Sequence, residues 1–162
     1  MAHGVRLVSY VPDAGHKRLI ELCQADSSLR TVSLTSEEEA VGLALGAWLG
    51  GASSVLLLQS SGVGNMVNVL GTVRECRLPF VMIVTMRGEA GEFNPWQVPM
   101  GRAAPQVLEA MGVRVRRVER PSDVAAQVGD ALRQAGDEDA AVAVLISQAL
   151  IGIKSFQEQR DR

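Results

Sequence analysis

The chain alternates short, continuously apolar runs with stretches whose apolar residues recur every three or four positions. Continuous runs predict strands buried on both faces, and the wider spacing predicts helices packed against them. Strands are predicted at residues 5–11, 29–34, 53–58, 79–85, 113–118 and 140–146. One helix is predicted after His16, with Leu19, Ile20 and Leu22 inward, and a second from the hydroxyls of Thr35 and Ser36 to Leu49. Three more are predicted over 66–76, 103–111 and 122–135, the last capped by Ser122. Pro12 cuts off the first strand, and Gly50-Gly51 end the second helix. Strand and helix alternate throughout, so the expected fold class is α/β, a doubly wound and mainly parallel sheet with helices on both faces. Residues 1–153 read as a single domain and residues 154–162 as a polar tail.

Ligands of such sheets bind beyond the carboxyl ends of the strands. Four marked stretches fall there: Pro12 to His16, Thr35 to Glu37, Gln59 to Asn65, and Met86 to Trp96. The second opens a helix with Glu37, Glu38 and Glu39, where free N–H groups and the helix dipole favour negative charge. Gly42 and Gly46 share one face of that helix, which predicts that something packs closely against it. The third, Gln59-Ser60-Ser61-Gly62-Val63-Gly64-Asn65, turns an apolar strand into a helix through small residues and leaves room for a ligand. No lysine follows it as in a P-loop, so a phosphate cradle is disfavoured. The fourth is the one long irregular stretch, reaching Pro99; its Phe93 and Trp96 suit a lid, a subunit contact or the core.

Composition narrows the classes. Of 162 residues, 47% are hydrophobic but only 4% aromatic, so small aliphatics build the core. A net charge of −2, with no basic block, gives no electrostatic case for nucleic acid. Neither a long apolar run nor a leader-like start is present, so the chain reads as cytoplasmic. Cys23 and Cys76 are expected to be buried free thiols.

Together these stretches resemble the pyrimidine-binding domain of thiamine diphosphate-dependent decarboxylases, nearest to the sulfopyruvate and phosphonopyruvate decarboxylases. The resemblance rests on Val11-Pro12, on Glu37-x4-Gly42-x3-Gly46, on the Gln59–Asn65 turn, on Met86-Arg87-Gly88, and on Gln97-Val98-Pro99-Met100-Gly101-Arg102. It implies that Glu37 hydrogen-bonds N1′ of the cofactor's aminopyrimidine and, by sharing a proton there, favours the reactive imino tautomer. It further implies that Val11, Pro12, Ser61, Gly62, Gly64 and Asn65 line the cofactor, with Asp13, His16, Gln59, Ser60 and Arg87 toward the substrate. Arg87, Arg102, His16 and Lys17 are the cations near this edge that suit a sulfonate or phosphonate.

The family's diphosphate-binding part carries Gly-Asp-Gly and a later Asn-Asn that hold the metal. Gly136-Asp137-Glu138 lacks the rest of that pattern. The resemblance therefore implies no metal ligands in this chain, with the thiamine diphosphate tail and Mg2+ held by a separate β subunit in a hetero-oligomer. The expected function is the α subunit of a 2-oxoacid decarboxylase. The alternatives are a carboligase or lyase subunit using the same cofactor, and a flavodoxin-like assembly module without catalysis.

Overall fold

The computed structural model describes residues 4–152. Six strands, β1 (Val5–Tyr10), β2 (Arg30–Ser33), β3 (Ser53–Gln59), β4 (Phe80–Thr85), β5 (Arg114–Val118) and β6 (Ala141–Ile146), form one sheet in the order β2-β1-β3-β4-β6-β5. Every neighbouring pair is parallel, with Leu57 opposite Ile83 and Ile83 opposite Val144 at the centre. The six strands and the α/β class are as the apolar runs predict. The 154–162 tail lies outside the described residues.

The period of two along each strand divides the core into two layers. Leu56, Leu58, Phe80, Met82, Val84, Ala143 and Leu145 face α2 (Glu39–Leu49), α3 (Val63–Met66), α4 (Leu70–Glu75) and α5 (Val98–Ala110). Val55, Leu57, Val81, Ile83, Val142 and Val144 face α1 (Lys17–Ala25) and α6 (Val124–Glu138). The chain leaves β1 toward β2 on one side and returns to β3 on the other. That reversal opens a crevice at the carboxyl ends of β1 and β3, where a ligand can enter.

Several local expectations need correction. In α1 only Ile20 is buried, while Leu19 and Leu22 are 37% and 51% exposed. The helix lies over the sheet margin by β2 and buries a single row, Ile20 with part of Cys23. The hydroxyls of Thr35 and Ser36 do not cap α2, which starts at Glu39 with Glu38 as its N-cap. Instead the Thr35 amide donates to the Glu39 carboxylate at 2.9 Å, and the 36–38 turn swings Glu37 inward. Among the described residues no atom lies within 4 Å of a Cβ built at Gly42 or Gly46, so the close packing expected on that face is not found there. The expected 66–76 helix is two pieces, α3 and α4, and α5 starts at Val98 rather than Ala103. Pro99 is tolerated there because the first turn has no use for its missing N–H. Ser122 sits in a one-turn 3-10 segment, Pro121–Asp123, and donates to Asp123 rather than capping α6. Cys23 is half-buried and Cys76 exposed, both free thiols.

The irregular stretch after β4 is held by two carboxylates. Glu92, its side chain 1% exposed, accepts from Arg87 Nε at 3.0 Å, Gly88 N at 3.1 Å, Asn94 N at 2.9 Å and Gln148 Nε2 at 2.9 Å. Glu89 accepts from Ser147 Oγ and Gln148 N, both at 2.9 Å, and pairs with Arg117. The loop is thereby tied to the turn between β6 and α7 (Gln148–Ile151). Its base packs on α5 so tightly that a Cβ at Gly101 would lie 1.9 Å from the Arg87 carbonyl oxygen.

Burial alone would raise the Glu92 carboxyl's pKa; the amides of Asn94 and Gly88, with Gln148 and Arg87, outweigh that and hold it at about 2. Its contribution to stability is therefore complete above the ordinary value of 4.5 and lost as pH falls toward 2. Glu92→Gln puts an amide donor among donors and should cost about 2 kcal/mol at neutral pH. Urea midpoints of both proteins from pH 7 to pH 3 should converge on acidification; a constant gap would contradict the assignment.

Candidate active site

Glu37 is reached from β2 by a short turn, and its side chain passes under the Ser60–Gly62 turn that follows β3. Its carboxyl is buried, with the residue 6% exposed. Asn65, in the first turn of α3, donates from Nδ2 to Glu37 Oε2 at 2.8 Å. A Cβ at Gly62 would lie 2.0 Å from Glu37 Oε1 and 2.3 Å from its Cδ. Only glycine leaves the space that the carboxyl occupies. The small-residue turn thus has a defined job, since Gly62 makes room for the acid and Asn65 orients it. Among the described residues, no group donates to Oε1. A carboxylate with one oxygen pinned and the other unpaired can accept from, or share a proton with, a ring nitrogen brought against it. Glu38 and Glu39 are exposed, with Glu39 turned back to Thr35.

The other expected site residues gather in two further groups. In the first, Asp13 Oδ2 accepts from Gly15 N at 3.0 Å and from Thr85 Oγ1 at 2.7 Å. His16, 3% exposed, places Nε2 3.1 Å from the Leu58 carbonyl and 3.0 Å from that of Ile83. Two carbonyl acceptors require a proton on Nε2. Burial lowers the His16 pKa despite the opposing Asp13 charge and the carbonyls, so the ring is neutral near pH 7. His16 is therefore a strap between β3 and β4, not a cation offered to a substrate. Val11 is half-buried, its amide donating to the Leu57 carbonyl, and Pro12 is exposed beside it.

In the second group, Ser60 is fully buried and its Oγ accepts from Arg87 N at 3.0 Å. Gln59 Nε2 donates to Gln97 Oε1, joining the end of β3 to the one-turn segment Pro95–Gln97. Arg87 is 4% exposed and its guanidinium is spent on Glu92. The expectation of a free guanidinium is not met, because the loop needs the charge itself. Lys17 and Arg102 remain exposed, as do Ser61 and Gly64. Met100 Sδ would lie 3.5 Å from a Cβ at Gly64, so α5 backs the turn from the far side.

Thr85, Gln97, Met100 and Glu92 are contributors that pattern reading did not find. Gln97 and Met100 lie in the Gln97–Arg102 motif without a role that the motif itself discloses. The roles of Thr85, Gln97 and Glu92 come from contacts with Asp13, Gln59 and Gln148, 72, 38 and 56 residues away in sequence. Among the described residues, no group of three or more His, Cys, Asp or Glu side chains could hold a metal ion. None of the described helices is long and apolar enough to cross a membrane.

Comparison with known proteins identifies the family. Residues 1–113 match the family model described as thiamine pyrophosphate enzyme, N-terminal TPP binding domain. The chain is 35% identical over 144 residues to the sulfopyruvate decarboxylase subunit alpha of Methanothermobacter thermautotrophicus, covering 88% of this chain and 87% of that one. It is 39% identical over 108 residues to the phosphonopyruvate decarboxylase of Streptomyces viridochromogenes, covering 65% of this chain but only 27% of that one. In fold it is similar to the 2-oxoglutarate:ferredoxin oxidoreductase from Magnetococcus marinus, with a TM-score of 0.71 at 18% identity over 93% of this chain and 27% of the other. With a matching family model across most of its length and a relative of nearly equal extent, the chain belongs to the thiamine pyrophosphate enzymes, as their N-terminal TPP-binding domain.

Proposed function

We propose that this chain is the pyrimidine-binding subunit of a thiamine diphosphate-dependent 2-oxoacid decarboxylase acting on sulfopyruvate or phosphonopyruvate. The observation that carries the reading is the Glu37 carboxyl wedged against Gly62 and pinned by Asn65. The relatives named for a subunit alpha are matched along 71–87% of their length, whereas the phosphonopyruvate decarboxylase is matched along about a quarter. That difference supports a division in which the remainder, with the diphosphate and Mg2+ ligands, is a separate β subunit.

The residues present fit the pyrimidine half of the cofactor. Glu37 Oε1 would meet the ring nitrogen and exchange a proton there, while Oε2 stays fixed by Asn65. Val11, Pro12, Ser61, Gly62 and Gly64 would wall the ring, since a flat heterocycle needs close backbone and little side chain. When bound, thiamine diphosphate supplies the electron sink for loss of CO2.

On the substrate side, Asp13, Gln59 and Ser60 would shape the pocket, with His16 and Arg87 supporting it from within rather than pairing with an anion. The sulfonate or phosphonate would then be met by exposed Lys17 or Arg102, or by the partner subunit.

Two substitutions test the assignment. Glu37→Gln should lower turnover by on the order of 100-fold or more, the usual worth of a placed proton-transfer group. Its complex with the β subunit should assemble as before; near-normal turnover would refute the role. Gly62→Ala forces the carboxyl aside and should weaken cofactor binding at least about 10-fold, read by titration calorimetry on the assembled enzyme. Gly71→Ala, in α4 with nothing within 4 Å of the added methyl, is the control that should bind normally.

A further inference from the structure

The reading above needs a second polypeptide at the carboxyl edge of the sheet, and one surface feature stands on that same edge. Trp96 is 72% exposed and Phe93, three residues earlier, 59% exposed. The remaining exposed tryptophan, Trp48, lies with Ser53 and Pro79 at the starts of β3 and β4, on the opposite edge. Trp96 directly precedes Gln97, whose side chain is bonded to Gln59 at the end of β3. Gln59 leads straight into the turn that holds Gly62 against Glu37. The segment that carries the indole is thus tied to the strand end from which the Glu37 cradle begins.

The loop is held in place by a set of polar contacts. Its fixed points are polar: Glu92 with Arg87, Gly88, Asn94 and Gln148, and Glu89 with Ser147, Gln148 and Arg117. Such a scaffold fixes the backbone of the loop while most of the Trp96 surface stays exposed. A large ring on a preordered loop loses little conformational freedom on docking, and tryptophan is the residue most enriched among interface anchors.

We propose that Trp96, with Phe93 beside it, is the anchor on which the diphosphate-binding subunit docks, and that Glu92 is the residue that presents it. This rests on the proposed division of the cofactor site between two chains. A second copy of this chain is the poorer occupant, because it brings no additional metal-binding cluster among its described residues.

The test uses a separate polypeptide from the same organism chosen for carrying the Gly-Asp-Gly and Asn-Asn motifs that this chain lacks. With Trp48→Phe, Trp96 becomes the only tryptophan, because the chain has two. Its emission should shift to shorter wavelength when that polypeptide is added, and should not shift when the chain alone is concentrated. Trp96→Ala should weaken association by about 30-fold or more, the loss expected of a central anchor. Arg133→Ala, on the exposed side of α6, should leave it unchanged.

Equal association of the Trp96→Ala and wild-type chains would overturn the anchor while leaving the Glu37 reading intact. So would a raised KM for the 2-oxo acid with unchanged association, which would make Trp96 a lid. A shift on self-association alone would overturn it in favour of a homodimer contact. Failure of the wild-type chain to bind the polypeptide at all would remove the divided site, and the anchor with it.

Discussion

The structure depends on one steric fact, that the Glu37 carboxyl and the Gly62 backbone occupy adjoining space no side chain could share. A methyl group at position 62 would sit 2.0 Å from the acid oxygen. The strand order brings the two together, since β2 and β3 lie on either side of β1 and their carboxyl ends converge on one crevice. Asn65 then decides which oxygen is held and which is left to act. Among the described residues no group donates to Oε1, and no buried side-chain oxygen lacks a partner, so Oε1 is the carboxyl oxygen open to a donor from a ligand.

Around that pair the other polar groups mostly serve the scaffold. His16 straps the carbonyls of β3 and β4, Asp13 fixes the turn after β1 through Gly15 and Thr85, and Arg87 is neutralised by Glu92. Three of the charged or titratable groups at this edge are thus consumed in holding the crevice open and its walls rigid. Preorganisation of this kind keeps Glu37 aimed without a moving part. It also leaves little free positive charge near the acid, which moves the burden of anion recognition to exposed Lys17 and Arg102, or off this chain.

Much of this was legible in the residues. The continuous apolar runs of β3, β4 and β6 can only be central parallel strands, and the six-stranded α/β sheet follows from them. Glu37 was separable from Glu38 and Glu39 only by the Glu37-x4-Gly42-x3-Gly46 spacing of the family it resembles, since an acidic helix start and a glycine turn each have ordinary structural uses. What was not legible depends on tertiary placement. Leu19 and Leu22 have helical spacing, but α1 covers only the sheet margin, so period alone overstated its buried face. Arg87 looked like a free cation because its partner, Glu92, is one acid among several in a loop of no regular pattern. The open Gly42 and Gly46 face shows the same limit, since close packing inferred from glycine need not come from the same chain.

The central claim is that this chain holds the pyrimidine end of a cofactor whose diphosphate end is held elsewhere. Titration calorimetry with thiamine diphosphate and Mg2+ tests it most directly, run on this chain alone and on the chain assembled with its β subunit. Tight binding confined to the assembled pair is the predicted result. Equally tight binding by the isolated chain, or no binding by either, would contradict the divided site.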